Sequence, residues 1–373
     1  MAQEREAEEA PIHGDVLEAI FSHVPLIHLA PASHVSKAWN RAVSSSLTHV
    51  RPIKPWLMVL TQSTRASHVT TLHAYDPRSH VWLQIQHEPS INNKRHASAV
   101  RSSHSTLLYT LSPGEFAFSD GKLNLAWHHV PPPRVWRTDP IVARVGQRVV
   151  VAGGACEFED DPLAVEMYDT ESSAWVTCQS MPALLKGSTA STWLSVAVVG
   201  DAMHVTEKNS GLTYSFDPIA RKWKGPFDLR PDQSVYCCIT GTLGKRLVVA
   251  GLVGEAENMK GVKLWVVKGE LGSGMEELGE MPKEMLEKVK SGSELGSVEM
   301  TWVGDFVYVR NTSEPEEMVV CEVVDGGLCE WRNVRNAAVN DGTRMVLCGG
   351  DVCMEDVQKA MTSEKWRFCM KQL

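Results

Sequence analysis

Few places in this 373-residue chain set reactive side chains at a spacing that chemistry requires. His128-His129 puts two imidazoles beside Trp127, but no third donor follows at a metal-binding interval. Glu157, Glu159, Asp160 and Asp161 make an acidic loop of the oxygen-donor type that Ca²⁺ takes, which a solvated loop explains better. The nine cysteines are odd in number and contain no Cys-x-x-Cys pair. The five-residue step from Cys348 to Cys353, with no His partner after it, does not suit zinc. Several cysteines sit in apolar runs, which suits free, buried thiols in a reducing compartment. The phosphate-loop, Gly-x-Ser-x-Gly and His-Glu-x-x-His patterns are all missing. The sequence therefore predicts no catalytic residue, no metal and no cofactor.

What remains is binding chemistry carried on loops. Arg65 and His68 sit between two apolar runs, and Arg134-Val135-Trp136-Arg137 follows the rigid Pro131-Pro132-Pro133. Lys186, Arg230 and Glu314 occupy comparable segments further on. Arg and Trp are the residue types most often found anchoring protein interfaces. These residues, Val135 excepted, are the eight candidates for a target-binding face, provided one architecture gathers their loops together.

That architecture is written in a repeat. Tyr75-Asp76 leads to Trp82, Tyr168-Asp169 to Trp175, and Phe216-Asp217 to Trp223, always seven residues from aromatic to Trp. The steps from Tyr168 to Phe216 and from Trp175 to Trp223 are both 48 residues. Phe118 and Trp265 extend the aromatic series, a sixth copy falls near Cys321, and Trp127 and Trp331 extend the Trp series. An apolar strand precedes each aromatic, as in Arg148–Gly154 and Arg246–Gly251. Four short strands per unit of about 49 residues describe one blade of a β-propeller. Residues 55–350 hold about six such units by this period. The first lacks an inner strand, which the run Arg344-Met345-Val346-Leu347-Cys348 is expected to supply by returning to close the ring. Seven blades stay open, because Gly349 lies 98 residues after Gly251, as Gly251 does after Gly153. The Gly/Glu-rich stretch near Met275 predicts a loose fourth strand in its unit. A short helix over Pro282–Val289 is expected to cover one mouth of the ring.

Before the repeat, Val16, Leu17, Ile20, Phe21 and Val24 form one stripe of a helix that Pro25 stops. A second short segment runs from Leu26 to Ala30 and ends at Pro31. A third follows Ser33, with Val35, Ala38, Trp39, Ala42 and Val43 on one face. The chain thus divides into an acidic disordered tail (1–10), a helical module (11–50), the propeller (51–350), and a C-terminal helix packed on it (351–373), striped by Met354, Val357 and Met361.

Val16-Leu17-Glu18-Ala19-Ile20-Phe21, Val24-Pro25 and Val35-Ser36-Lys37-Ala38-Trp39-Asn40-Arg41 resemble the F-box, with Ile12-His13 in place of the usual Leu-Pro and an unusual Pro31. The di-glycine strand end, the Tyr-Asp pair and the Trp seven later resemble the kelch repeat. Together they resemble the plant-type F-box/kelch-repeat proteins. The resemblance implies a mainly β fold, a six-bladed kelch-type propeller preceded by a small three-helix F-box. It implies a non-catalytic substrate receptor of a Skp-cullin-F-box ubiquitin ligase, with Leu17, Ile20, Pro25, Val35, Lys37 and Trp39 touching a Skp-family adaptor that leads to a cullin scaffold. The propeller would hold an unknown target protein. A kelch binding module outside ubiquitination is the alternative, and a secreted kelch oxidase with copper a more distant one. The net charge of −8 weighs against nucleic acid or an anionic membrane as partner. No apolar run reaches a membrane span, and residues 1–10 have no signal-peptide core. A cytoplasmic or nuclear location, without secretion, is expected.

Overall fold

Three aspartates one residue past the repeat aromatic all close the same turn. In the computed structural model, Asp169 Oδ1 accepts the amides of Glu171 and Ser172 at 3.0 Å each, and Asp217 Oδ1 those of Ile219 and Ala220 at 2.8 and 2.9 Å. Asp76 Oδ1 accepts the amide of Arg78 at 3.0 Å. Four residues after each Asp the backbone turns left-handed, at His80, Ser173 and Arg221 with φ between 54 and 58°. The short carboxylate holds the turn amides that the hairpin leaves unpaired. The structure describes residues 14–87, 98–123, 126–156, 159–188, 191–290, 298–324, 327–363 and 366–371. The acidic tail and Ile12-His13 lie outside them, as does Glu157 of the acidic loop.

These turns join the outer two strands of antiparallel sheets arranged as six blades. The innermost strands are Thr343–Gly350, Arg101–His104, Ile141–Val145, Leu194–Val199, Val235–Leu243 and Val298–Val303, from the first blade to the sixth. Ring closure comes from Thr343–Gly350, which pairs along the whole of Trp56–Ser63, from Ser63 opposite Thr343 to Trp56 opposite Gly350. Gly349 therefore belongs to the first blade and opens no seventh. Gly251 serves a close approach: a Cβ there would lie 2.7 Å from the Trp265 ring. Gly154 needs both its φ of +58° and its missing side chain, since a Cβ would meet the Asp139 carbonyl at 2.3 Å.

The repeat tryptophans staple neighbouring blades. Trp82, Trp175 and Trp223 lie opposite Tyr75, Tyr168 and Phe216, with ring centroids 5.3, 5.4 and 4.9 Å apart. Each indole N–H donates to a carbonyl just past the outer strand of the preceding blade or at its end: Arg335 at 2.9 Å, Pro131 at 2.8 Å and Gln179 at 3.0 Å. Trp223→Phe keeps a six-membered ring against Phe216 but loses this bond and the pyrrole part of the indole, so urea unfolding should show a cost of at least about 1 kcal/mol.

The repeat misplaces the partner in the second blade, finds no Trp in the fifth, and holds in the sixth. In the second, His128 rather than Trp127 stands opposite Phe118, stacked at 5.2 Å. In the fifth, Glu277 opposes Trp265; in the sixth, Trp331 opposes Cys321. The fifth blade's outer strand, Met275–Glu280, is fully paired through one bulge rather than loose.

Two helical elements also differ from expectation. The helix Lys283–Lys290 buries Leu286 and Val289 in the apolar core that the fifth and sixth blades share, so it wedges between blades instead of covering the channel. Beyond the ring, the helix Met354–Thr362 buries Val357 and Ala360, while Met361 is exposed. A further strand, Trp366–Lys371, then adds itself to the outer edge of the first blade, from Trp366 opposite His87 to Lys371 opposite Trp82.

Three histidines lie inside the sheets. Burial pushes His73, His104 and His204 down to about 4. Their folded pKa lies below the unfolded value, so the neutral form favours folding and the contribution is complete above about 6.5. It is lost as pH falls from there towards 4. The melting temperature should drop over that window, and His104→Gln should flatten the drop by on the order of 2 kcal/mol.

Candidate functional site

The N-terminal module consists of α1 (Gly14–Ser22), α2 (Leu26–Ala32) and α3 (Lys37–Ser45), followed by a π-helical turn, Ser46–Val50. Pro31 sits inside the last turn of α2 and does not end it before that point. Ser36 caps α3 by accepting the Trp39 amide at 3.2 Å. Phe21 is buried and meets the edge of the Trp39 ring at 5.2 Å.

Helical spacing divides α1 between two environments. Leu17 and Phe21 point inward, whereas Val16 and Ile20 are exposed, Ile20 at 49%. Val35, between α2 and α3, is exposed at 63%, and Lys37 beside it is exposed. Pro25 and Trp39 are half-buried at the margin. Of the six residues expected to touch an adaptor, Leu17 is thus corrected to a core residue, because the three helices have no other apolar interior to close on. Val16 joins the outward set.

The inward side of the module continues into the propeller. Leu17, Phe21, Leu26, Ile27, Leu29 and Val43 share one apolar core with Trp56, Met58 and Leu60 of the first blade and with Val357 and Ala360. Gln358 donates to Ser33 Oγ at 3.1 Å, and Lys54 pairs with Glu322 of the sixth blade at 2.9 Å. At the centre is Arg78, 2% exposed, on the turn that Asp76 closes. Its guanidinium donates to the carbonyls of Phe21 (2.9 Å), in the last turn of α1, and Val24 (2.7 Å), just past it, and to that of Arg51 (2.8 Å). A cation thus meets carbonyls at a helix C-terminus, where the Phe21 carbonyl also accepts the Val24 amide at 3.2 Å.

Antiparallel order fixes which loops share a face. Arg65 and His68 join a second strand to a third, as Glu314 does in the sixth blade. The segments holding Arg134–Arg137, Lys186 and Arg230 each lead from one blade to the next. All of these leave the ring on one face, and the Arg78 turn, joining a third strand to a fourth, leaves on the other. The helical module and the candidate binding loops therefore lie on opposite faces.

Arg65, His68, Arg134, Lys186 and Glu314 are exposed there, and Trp136 and Arg230 are half-buried. Arg137 is corrected. At 1% exposure it donates to the carbonyls of Gly153 and Ala164 at 2.7 and 2.8 Å and pairs with buried Glu166 at 3.3 Å. Glu166 in turn accepts the amides of Arg134 and Val135 at 2.9 and 3.1 Å. Arg137 holds the loop in place; it does not offer itself to a partner.

Residues 14–51 match the F-box domain family. Over 341 residues the chain is 46% identical to an F-box/kelch-repeat protein of Arabidopsis thaliana, an alignment spanning 88% of this chain and 86% of that one. The chain belongs to the F-box/kelch-repeat family.

In this F-box/kelch-repeat protein the loop face carries residues that the repeat did not flag. Trp193, 49% exposed, follows Lys186 on the passage into the fourth blade, and Leu184 stands out beside it. Arg101, Arg344 and Glu299 lie at the starts of innermost strands, and Arg310 and Lys208 at or just past the ends of second strands. Their common signal is position: a charged residue where a buried strand meets the channel mouth. Among the described residues, no group of three or more His, Cys, Asp or Glu could hold a metal, all nine cysteines are free thiols, and no helix is long and apolar enough to cross a membrane.

Proposed function

We propose that the chain is the substrate-recognition subunit of a Skp-cullin-F-box ubiquitin ligase. One observation carries this: the F-box buries one side in the propeller core and leaves Val16, Ile20, Val35 and Lys37 outward. Three outward apolar side chains beside a lysine on a small helical unit suit a partner helix. The adaptor would bind there, with Pro25 and Trp39 at the edge, and lead to a cullin. The opposite face would hold the target protein. Such a chain performs no bond chemistry; it raises the concentration of target beside a transfer site supplied by other subunits. Co-purification tests this. Wild type should recover a Skp-family adaptor, and Ile20→Asp with Val35→Asp should lose it while keeping the same melting temperature. Equal recovery by both, or none by wild type, would leave the F-box as a cap on an interaction module outside ubiquitination.

A further inference from the structure

The channel mouth on the loop face has a charge arrangement that the receptor reading does not use. Going round it, Arg310 pairs with Glu299, and the Arg344 guanidinium donates to the carbonyl of Val100. Arg101, the next residue, donates to the Thr138 carbonyl and lies 3.4 Å from Asp139. Asp139 accepts the Ser191 hydroxyl at 2.7 Å and its amide at 3.0 Å, and Lys208 Nζ donates to the Thr192 carbonyl at 2.8 Å. Four cations thus stand with two carboxylates. Glu299 pairs with Arg310 and Asp139 with Arg101, while the hydrogen bonds of Arg344 and Lys208 go to the carbonyls of Val100 and Thr192.

Two further observations show that this group is short of anions. Arg310 is 6% exposed, and its buried Nε has no hydrogen-bond partner among the described residues. Burial lowers the pKa of half-buried Lys208, so its charge is poorly solvated. Glu207, preceding Lys208 in the chain, already accepts the amides of Asn209 (3.3 Å) and Ser210 (2.7 Å). Beside the cations, the Lys208 amide donates to the carbonyl of Trp193, at 3.0 Å, tying the backbone of this exposed residue to the rim.

We infer that this mouth, lined by Arg344, Lys208, Arg101 and Arg310 beside Trp193, binds an acidic peptide segment of the captured protein. The inference rests on the receptor reading. The chain carries a net charge of −8, so a cation-rich mouth on an acidic protein selects against most of its own surface and for a carboxylate-bearing strand. Arg supplies forked donors to the carboxylates, and Trp193 offers a flat apolar surface for a neighbouring residue.

Fluorescence anisotropy of a labelled octaglutamate peptide, against octaglutamine, tests this on the full chain. Octaglutamate should bind saturably and weaken between ~50 and ~300 mM salt, while octaglutamine should not bind. Arg344→Glu, at an exposed position, should weaken binding at least about tenfold. Glu299→Gln keeps an acceptor for Arg310, removes a repelling charge and should tighten binding about threefold. Equal binding of both peptides, absent binding, or no tightening by Glu299→Gln would overturn the inference, the last even if Arg344→Glu failed to fold. Adaptor recovery by the same proteins separates the two readings: retained recovery with failed peptide binding sinks only the acidic-segment inference.

Discussion

Arg78→Ala should destabilise the chain by about 3–5 kcal/mol and release the F-box from the propeller. The guanidinium fills all three directions of its fork with carbonyls of Phe21, Val24 and Arg51, and charged hydrogen bonds of this kind contribute about 1.5–3 kcal/mol each before overlap. Alanine would leave those carbonyls facing a dry gap, and the C-terminal end of α1 would lose its counter-charge. Lysine should not rescue it, because a point charge on a flexible stem cannot meet three fixed acceptors in one plane. Urea unfolding would read the loss, and limited proteolysis between residues 50 and 55 would show whether the module comes free. A change below about 1 kcal/mol would mean that the shared apolar core alone holds the two parts together.

Arg137→Met comes next, at about 3–5 kcal/mol. Burial works against the Arg137 charge, and Glu166 is the main group that offsets it. Methionine fills most of the volume but strands a carboxylate that is 2% exposed. Glu166→Gln in that background should therefore recover part of the loss, since the uncompensated charge goes while an acceptor for the Arg134 and Val135 amides remains. Additive losses in the double variant would contradict the pairing. Because Glu166 sets the 134–136 loop, Arg137→Met should also raise proteolytic cutting there, which a defect confined to the core would not do.

Much of the ring was legible because its parts repeat under one physical demand. A hairpin of this shape wants an Asp to hold its amides, and a blade wants a large donor-bearing ring to reach its neighbour; hence Asp169, Asp217, Trp175 and Trp223. The strand 344–348 could be placed because the first unit lacked a partner. What stayed hidden depends on neighbours that only the fold supplies. Arg78, Glu171 and Ile219 occupy the same turn position, yet only Arg78 is covered, because only the first blade has helices over it. Arg137 reads as one more loop cation until Glu166, 29 residues on, is brought beneath it. His128 displaces Trp127 by a single residue, a shift that reverses the face of a strand without altering its composition. The strand Trp366–Lys371 has no turn partner in sequence; it finds its edge only after the ring has closed.

The central claim is that adaptor and target occupy opposite faces of one rigid body. Hydrogen–deuterium exchange of the full chain, with and without saturating Skp-family adaptor, tests it most directly. Exchange should slow over residues 16–24 and 33–41 and stay unchanged in the loops at 61–70, 134–139, 184–193 and 228–236. Protection spread across those loops, or none in the F-box, would contradict it.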